Sequence, residues 1–159
     1  MTELPADLRE LVRSPQNHCF ACGPGNDCGM KLQFDRAADE VKAEFTPDHR
    51  HSGWTGVVHG GILATALDEA MAYVLYFMGV KGLTARMEVR YRQPALEGDR
   101  LSVVARKVSE TRRIVDVEAR LLRGDSVLAE ATGRFMKIGP LTVGDLLPQV
   151  GSYVSAEEE

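Results

Sequence analysis

Two kinds of hydrophobic spacing divide this chain. Met30, Leu32 and Phe34 interleave with Lys31, Gln33 and Asp35, and Val41, Ala43 and Phe45 interleave with Lys42, Glu44 and Thr46. A period of two over such lengths predicts half-buried strands. The pattern changes across Gly61 to Met78, GILATALDEAMAYVLYFM, where only Asp68 and Glu69 are charged and apolar side chains point all round the axis. Such a helix is expected to be buried on every side. Alternation returns with Leu83, Ala85, Met87, Val89 and Tyr91 set against Thr84, Arg86, Glu88, Arg90 and Arg92. Further strands are predicted over 99–108, 112–122 and 126–138, the last two joined by a Gly124-Asp125 turn. Strand, strand, long helix and four strands make an α+β domain.

The flanking segments complete the plan. Pro5 to Arg13 suits a short helix with Leu8, Leu11 and Val12 on one side, and NHCFACGPGNDCG (Asn17 to Gly29) is broken by Gly and Pro. One domain is expected over 1–139, with the short helix and the Cys/Gly-rich loop filling 1–29, and a partly ordered tail over 140–159 with an acidic end. At 159 residues the chain buries a real core, and its formal net charge of −4 argues against a nucleic-acid partner. The two acids in the middle of the long helix argue against a membrane span. The polar, acidic start and three closely spaced cysteines suit a cytoplasmic protein with reduced thiols.

Asp68 is the residue that asks for a chemical explanation. A carboxylate in a buried helix costs several kcal/mol unless paired or solvated. Ala64, Ala72 and Gly61 share its face and leave room for a ligand, while a core salt bridge to an arginine is the alternative. Glu69 points about 100 degrees away and is expected at the surface or an interface. At the helix start, His59-Gly60-Gly61 offers free backbone N–H groups and the positive dipole end to an oxyanion or polarised carbonyl. Asp68 lies roughly 10–12 Å further along the axis, too far to act on a carbonyl held there. A two-fold axis that lays a second helix antiparallel closes that gap, so a catalytic role predicts a dimer with shared sites.

HCFACGPGNDCGMKLQF, HSGWTGVVHGGILATALDEA and LTARMEVRYRQPALEGDRL, in this order and spacing, resemble the hotdog-fold acyl-CoA thioesterases, in the PaaI-like branch that includes the thioesterase superfamily member 4 type. The resemblance runs from about Asn17 to Ile138. It implies a long central helix wrapped by a five- to six-stranded antiparallel sheet, a homodimer or a homotetramer built as a dimer of dimers, and hydrolysis of an acyl-CoA thioester without metal or cofactor. Under it Asp68 matches the catalytic carboxylate, as general base or nucleophile. Gly61 matches the carbonyl-polarising amide, with Gly60 as the alternative donor. His59 matches the histidine before the glycine pair, and Thr84 a strand threonine that positions water or carboxylate. The family's Asn-Pro-x-Gly-Leu is here Asn26-Asp27-Cys28-Gly29-Met30, which makes the chain an outlying member.

His51 is a candidate ligand contact, and Trp54 either lines the acyl pocket or packs. Arg90 and Arg92 suit the phosphates of CoA, unless, with Arg86, they form a solvated sheet face balanced by Glu88 or an interface between dimers. Cys19, Cys22 and Cys28 beside His18 have a CxxC spacing, but adjacent His18 and Cys19 tend to point apart, so structural loop cysteines are expected and no metal. The three loop histidines lack the spacing of a metal cluster. Against hydrolysis of a fatty-acyl or aryl-CoA thioester stand a non-catalytic acyl-CoA-binding module and a hydratase, the latter disfavoured by the pairing of His59-Gly60-Gly61 with Asp68.

Overall fold

A computed structural model describes residues 6–145. The acidic end of the expected tail lies outside them. Eight regular elements follow in order: α1 (Ala6–Val12), β1 (Asp35–Ala37), β2 (Glu40–Phe45), α2 (Gly60–Phe77), β3 (Val80–Tyr91), β4 (Leu101–Glu110), β5 (Ile114–Arg123) and β6 (Ser126–Pro140). The strands form one antiparallel sheet in the order β1-β2-β4-β5-β6-β3, with α2 packed on one face. β3 therefore has a free edge, and its neighbour across the sheet is the last strand rather than the next one.

Alternation explains the core. Val41 and Ala43 of β2, Leu101, Val103 and Ala105 of β4, Val115, Val117, Ala119 and Leu121 of β5, and Leu128, Ala131 and Phe135 of β6 are buried beneath Leu63, Leu67, Met71 and Val74 of α2. Gly133 sets the helix–sheet distance, because a Cβ there would stand 2.8 Å from the Met71 sulfur. The turn before β4 uses Gly98 at φ +84°, a left-handed conformation that glycine adopts without penalty.

Three expectations need correction. The segment 30–34 alternates in burial as expected, but it is not a strand: β1 begins only at Asp35. Lys31 has a positive φ of 55°, and Met30 and Leu32 donate their N–H groups to Phe20 and Ala21 of the cysteine loop. The long helix is not buried all round within one chain. Gly61 is exposed, and Thr65, Asp68 and Ala72 on the same stripe are only half-buried, as is Ala64.

The third correction concerns β3. Its register against β6 slips between Thr84 and Arg86, so Ala85 is an extra residue in a bulge. Thr84 is paired with buried Phe135 and faces the helix, whereas Arg86 is paired with Arg134 and faces outward with Glu88 and Arg90. Thr84 and the arginines are thus on opposite faces, and Leu83 is thrown to the outside, 61% exposed.

Candidate active site

The carboxylate and the strand threonine meet. The hydroxyl of Thr84 donates to Asp68 Oδ1 at 2.9 Å, across the seam between α2 and the free edge of β3. Among the described residues no basic side chain pairs with Asp68, so the salt-bridge alternative is not realised in this chain. The pair is open to solvent on the side where the sheet ends.

The helix start is built differently from expectation. His59 is the N-cap of α2, and its Nδ1 accepts the N–H of Gly61 at 2.8 Å. That ties up the amide assigned to the carbonyl. Among the described residues nothing accepts the Gly60 N–H, and the Gly60 carbonyl takes the Tyr91 hydroxyl at 2.8 Å. Gly60, not Gly61, is the free donor, and Tyr91 anchors the next peptide unit through the Gly60 carbonyl. No signal in the alternating pattern singled out Tyr91 for this task. The loop before the helix is pinned by Val58 N–H to Ala95 and His59 N–H to His51, both through carbonyls.

Other candidates fall into place around this end. His51 is buried, and its Nδ1 accepts the Asp48 N–H at 3.1 Å, so it braces the loop from inside. Trp54 is 84% exposed, which removes the packing reading within one chain. It borders an open groove of about 460 Å³ with Gly53, Val57, His59 and Gly60. Arg90 pairs with Glu88 at 3.6 Å and Arg92 with Glu130, both on the exposed rim. A larger cavity, about 550 Å³, lies away from Asp68, between α1 and the aromatic end of α2.

Glu69 is half-buried against the cysteine loop rather than fully at the surface. Burial pushes its carboxyl up to about 8, and neighbouring Cys19 pushes in the same direction. Cys19 Sγ lies 3.6 Å from Glu69 Oε1.

The chain is similar over residues 55–130 to the model of the Thioesterase superfamily. A protein of Saccharolobus solfataricus whose name carries a provisional esterase assignment is 34% identical over 135 residues, spanning 82% of this chain and 83% of its own length. The chain belongs to the thioesterase superfamily. Human acyl-coenzyme A thioesterase 13 is 24% identical over 139 residues, covering 86% of this chain and 97% of that one. Among solved structures, a thioesterase-named protein of Streptococcus pneumoniae, determined with coenzyme A, superposes with a TM-score of 0.66 at 18% identity, over 70% of this chain and 88% of its own. This superfamily member has the hotdog arrangement, one long helix wrapped by a six-stranded antiparallel sheet.

Proposed function

We propose that two copies of this chain join β3 to β3 about a two-fold axis and hydrolyse fatty-acyl or aryl-CoA thioesters at two shared sites. The observation that carries this is the separation of two half-sites on one chain. The Asp68–Thr84 pair stands near one end of β3, and Gly60, whose carbonyl accepts from Tyr91, stands near the other. Eight residues of helix between Gly60 and Asp68 put them roughly 12 Å apart. An antiparallel β3 pairing centred between Met87 and Glu88 sets Thr84 opposite the partner's Tyr91, and so brings Asp68 toward the partner's Gly60. The same pairing covers a twelve-residue free edge and the open stripe of α2, which a lone chain leaves exposed.

At each site the Gly60 N–H polarises the thioester carbonyl. Asp68 either takes a proton from water as it adds to the carbonyl carbon, or attacks that carbon itself. With water as nucleophile, the C–S bond then breaks, the CoA sulfur leaves with the proton held by Asp68, and the free acid remains. With Asp68 as nucleophile, C–S cleavage releases CoA thiolate and leaves an acyl–Asp68 anhydride. Water hydrolyses that anhydride to the free acid and the Asp68 carboxyl, whose proton passes to the thiolate. Thr84 orients the carboxylate, and His59 keeps Gly61 out of competition for the carbonyl. Trp54 flanks the groove at the amide end, where the partner chain closes over the acyl group, and His51 holds the loop that carries it. The ion pairs of Arg90 and Arg92 are exposed and weak, so both arginines exchange readily onto CoA phosphates. A dimer of dimers and a cytoplasmic setting fit this reading, the latter supported by three free cysteines. No helix among the described residues is long and apolar enough to cross a membrane.

The test is thiol release from a panel of acyl-CoAs. Turnover is expected; binding without release supports the non-catalytic module instead. Thr84→Val removes one hydrogen bond to a charged acceptor, and kcat is expected to fall about tenfold, with Thr84→Ser restoring most of it and KM little changed.

A further inference from the structure

The cysteine loop and the helix bring three ligand-type atoms together outside the site described above. Cys19 Sγ, Cys22 Sγ and a Glu69 carboxylate oxygen all lie within 4.8 Å of one another. We propose that Cys19, Cys22 and Glu69 form a zinc site that clamps the N-terminal segment to α2 next to Asp68. It lies apart from the Asp68–Thr84 pair and holds the N-terminal segment, not the thioester.

The geometry suits a tetrahedral cation. Zn–S bonds of about 2.3 Å and Zn–O bonds of about 2.0–2.2 Å give a tetrahedral S···O edge of about 3.5 Å. The Cys19 sulfur and Glu69 oxygen are 3.6 Å apart. Two thiolates and one carboxylate supply three ligands of the kind zinc selects, and water completes the set.

The loop is shaped around the sulfurs. Gly23 closes the turn with its N–H on the Cys19 carbonyl at 2.9 Å. A Cβ at Gly23 would stand 2.4 Å from the Asn17 carbonyl oxygen, so no other residue allows this turn. Asn17 supports both cysteines: its Oδ1 accepts the Cys19 N–H at 3.0 Å, and its Nδ2 lies 3.6 Å from the Cys22 sulfur. A half-buried carboxyl beside two cysteine sulfurs is an unfavourable grouping, and a divalent cation offsets most of the charge the three ligands carry when bound to it.

Adjacent His18 and Cys19 point apart, as their sequence positions imply, and the site does not need His18. The His18 ring is turned to the Gly25 carbonyl at 3.0 Å, and Cys28 is exposed and outside the cluster. The third ligand comes from fifty residues away, on a helix.

The full-length chain, reduced and stripped with a chelator, is titrated with Co²⁺ and then Zn²⁺. One Co²⁺ per chain is expected, with a near-ultraviolet thiolate charge-transfer band and the visible bands of tetrahedral cobalt, both lost on adding Zn²⁺. Glu69→Gln and Cys19→Ser are expected to weaken Co²⁺ binding at least about tenfold, and Cys28→Ser to bind as the parent does. Circular dichroism checks that each variant is folded; Glu69 and Cys19 are only half-buried, so they serve where Cys22→Ser does not fold. Absence of the charge-transfer band, an octahedral spectrum, or parent-like affinity in folded Glu69→Gln overturns the site.

Discussion

Asp68→Asn is expected to lower kcat for thiol release at least about 100-fold, the loss typical of removing a general base. The substitution is close to isosteric and keeps an oxygen for the Thr84 hydroxyl, so the local geometry survives. What it removes is the charge, and with it both chemical roles open to Asp68. Stability is a separate readout, because no basic side chain among the described residues pairs with this carboxylate. A buried ion pair broken on one side costs about 3–5 kcal/mol, whereas Asp68→Asn is expected to shift unfolding by less than about 1 kcal/mol. Activity within a few-fold of the parent, measured on a folded variant, would remove Asp68 from the chemistry and with it the hydrolytic reading of the site. A large loss of stability instead would mean that the carboxylate is part of the packing.

The features legible in the sequence are those that repeat. Period-two alternation located β2 to β6 to within a few residues, and the uninterrupted apolar run located α2 to within one at either end. The pairing of Asp68 with a glycine-rich helix start was legible too, since both lie on one helix at a countable separation. What escaped were single-residue irregularities. One bulge at Ala85 reverses the parity of everything before it in β3, and neither a Gly nor a Pro marks the place. Thr84 meets Asp68 because of that slip, so the contact was expected from resemblance and not from alternation. The choice between Gly60 and Gly61 depends on which way the His59 ring turns, a side-chain decision with no trace in the residue order. Glu69 was misplaced for a related reason: its direction around the helix was correct, but that side is covered by the cysteine loop, a contact fifty residues distant.

The shared site makes a sharper prediction than the loss of any single residue. Gly60 is the first residue of α2, the position where proline is tolerated because its N–H has no intrahelical partner. His59 before it is already extended, with ψ 133°, as a residue preceding proline must be. The atoms nearest a Cβ at Gly60 would be those of the Tyr91 phenol, from 3.5 Å, an ordinary contact. Gly60→Pro therefore deletes one N–H while sparing the helix, and kcat is expected to fall about 10²- to 10³-fold, as when one oxyanion donor is removed. Alone, Gly60→Pro and Asp68→Asn are both expected to be nearly inactive. Co-expressed with different tags and purified as mixed dimers, they should recover about half of the parent rate per dimer. One of the two sites then combines an intact Gly60 from one subunit with an intact Asp68 from the other, while the second site carries both lesions. If the amide and carboxylate of one chain served the same site, every site in the mixed dimer would hold a lesion and no activity would return. Recovery also requires the two subunits to exchange β3 edges, so mixed dimers that form but stay inactive would refute the shared site without disturbing the fold.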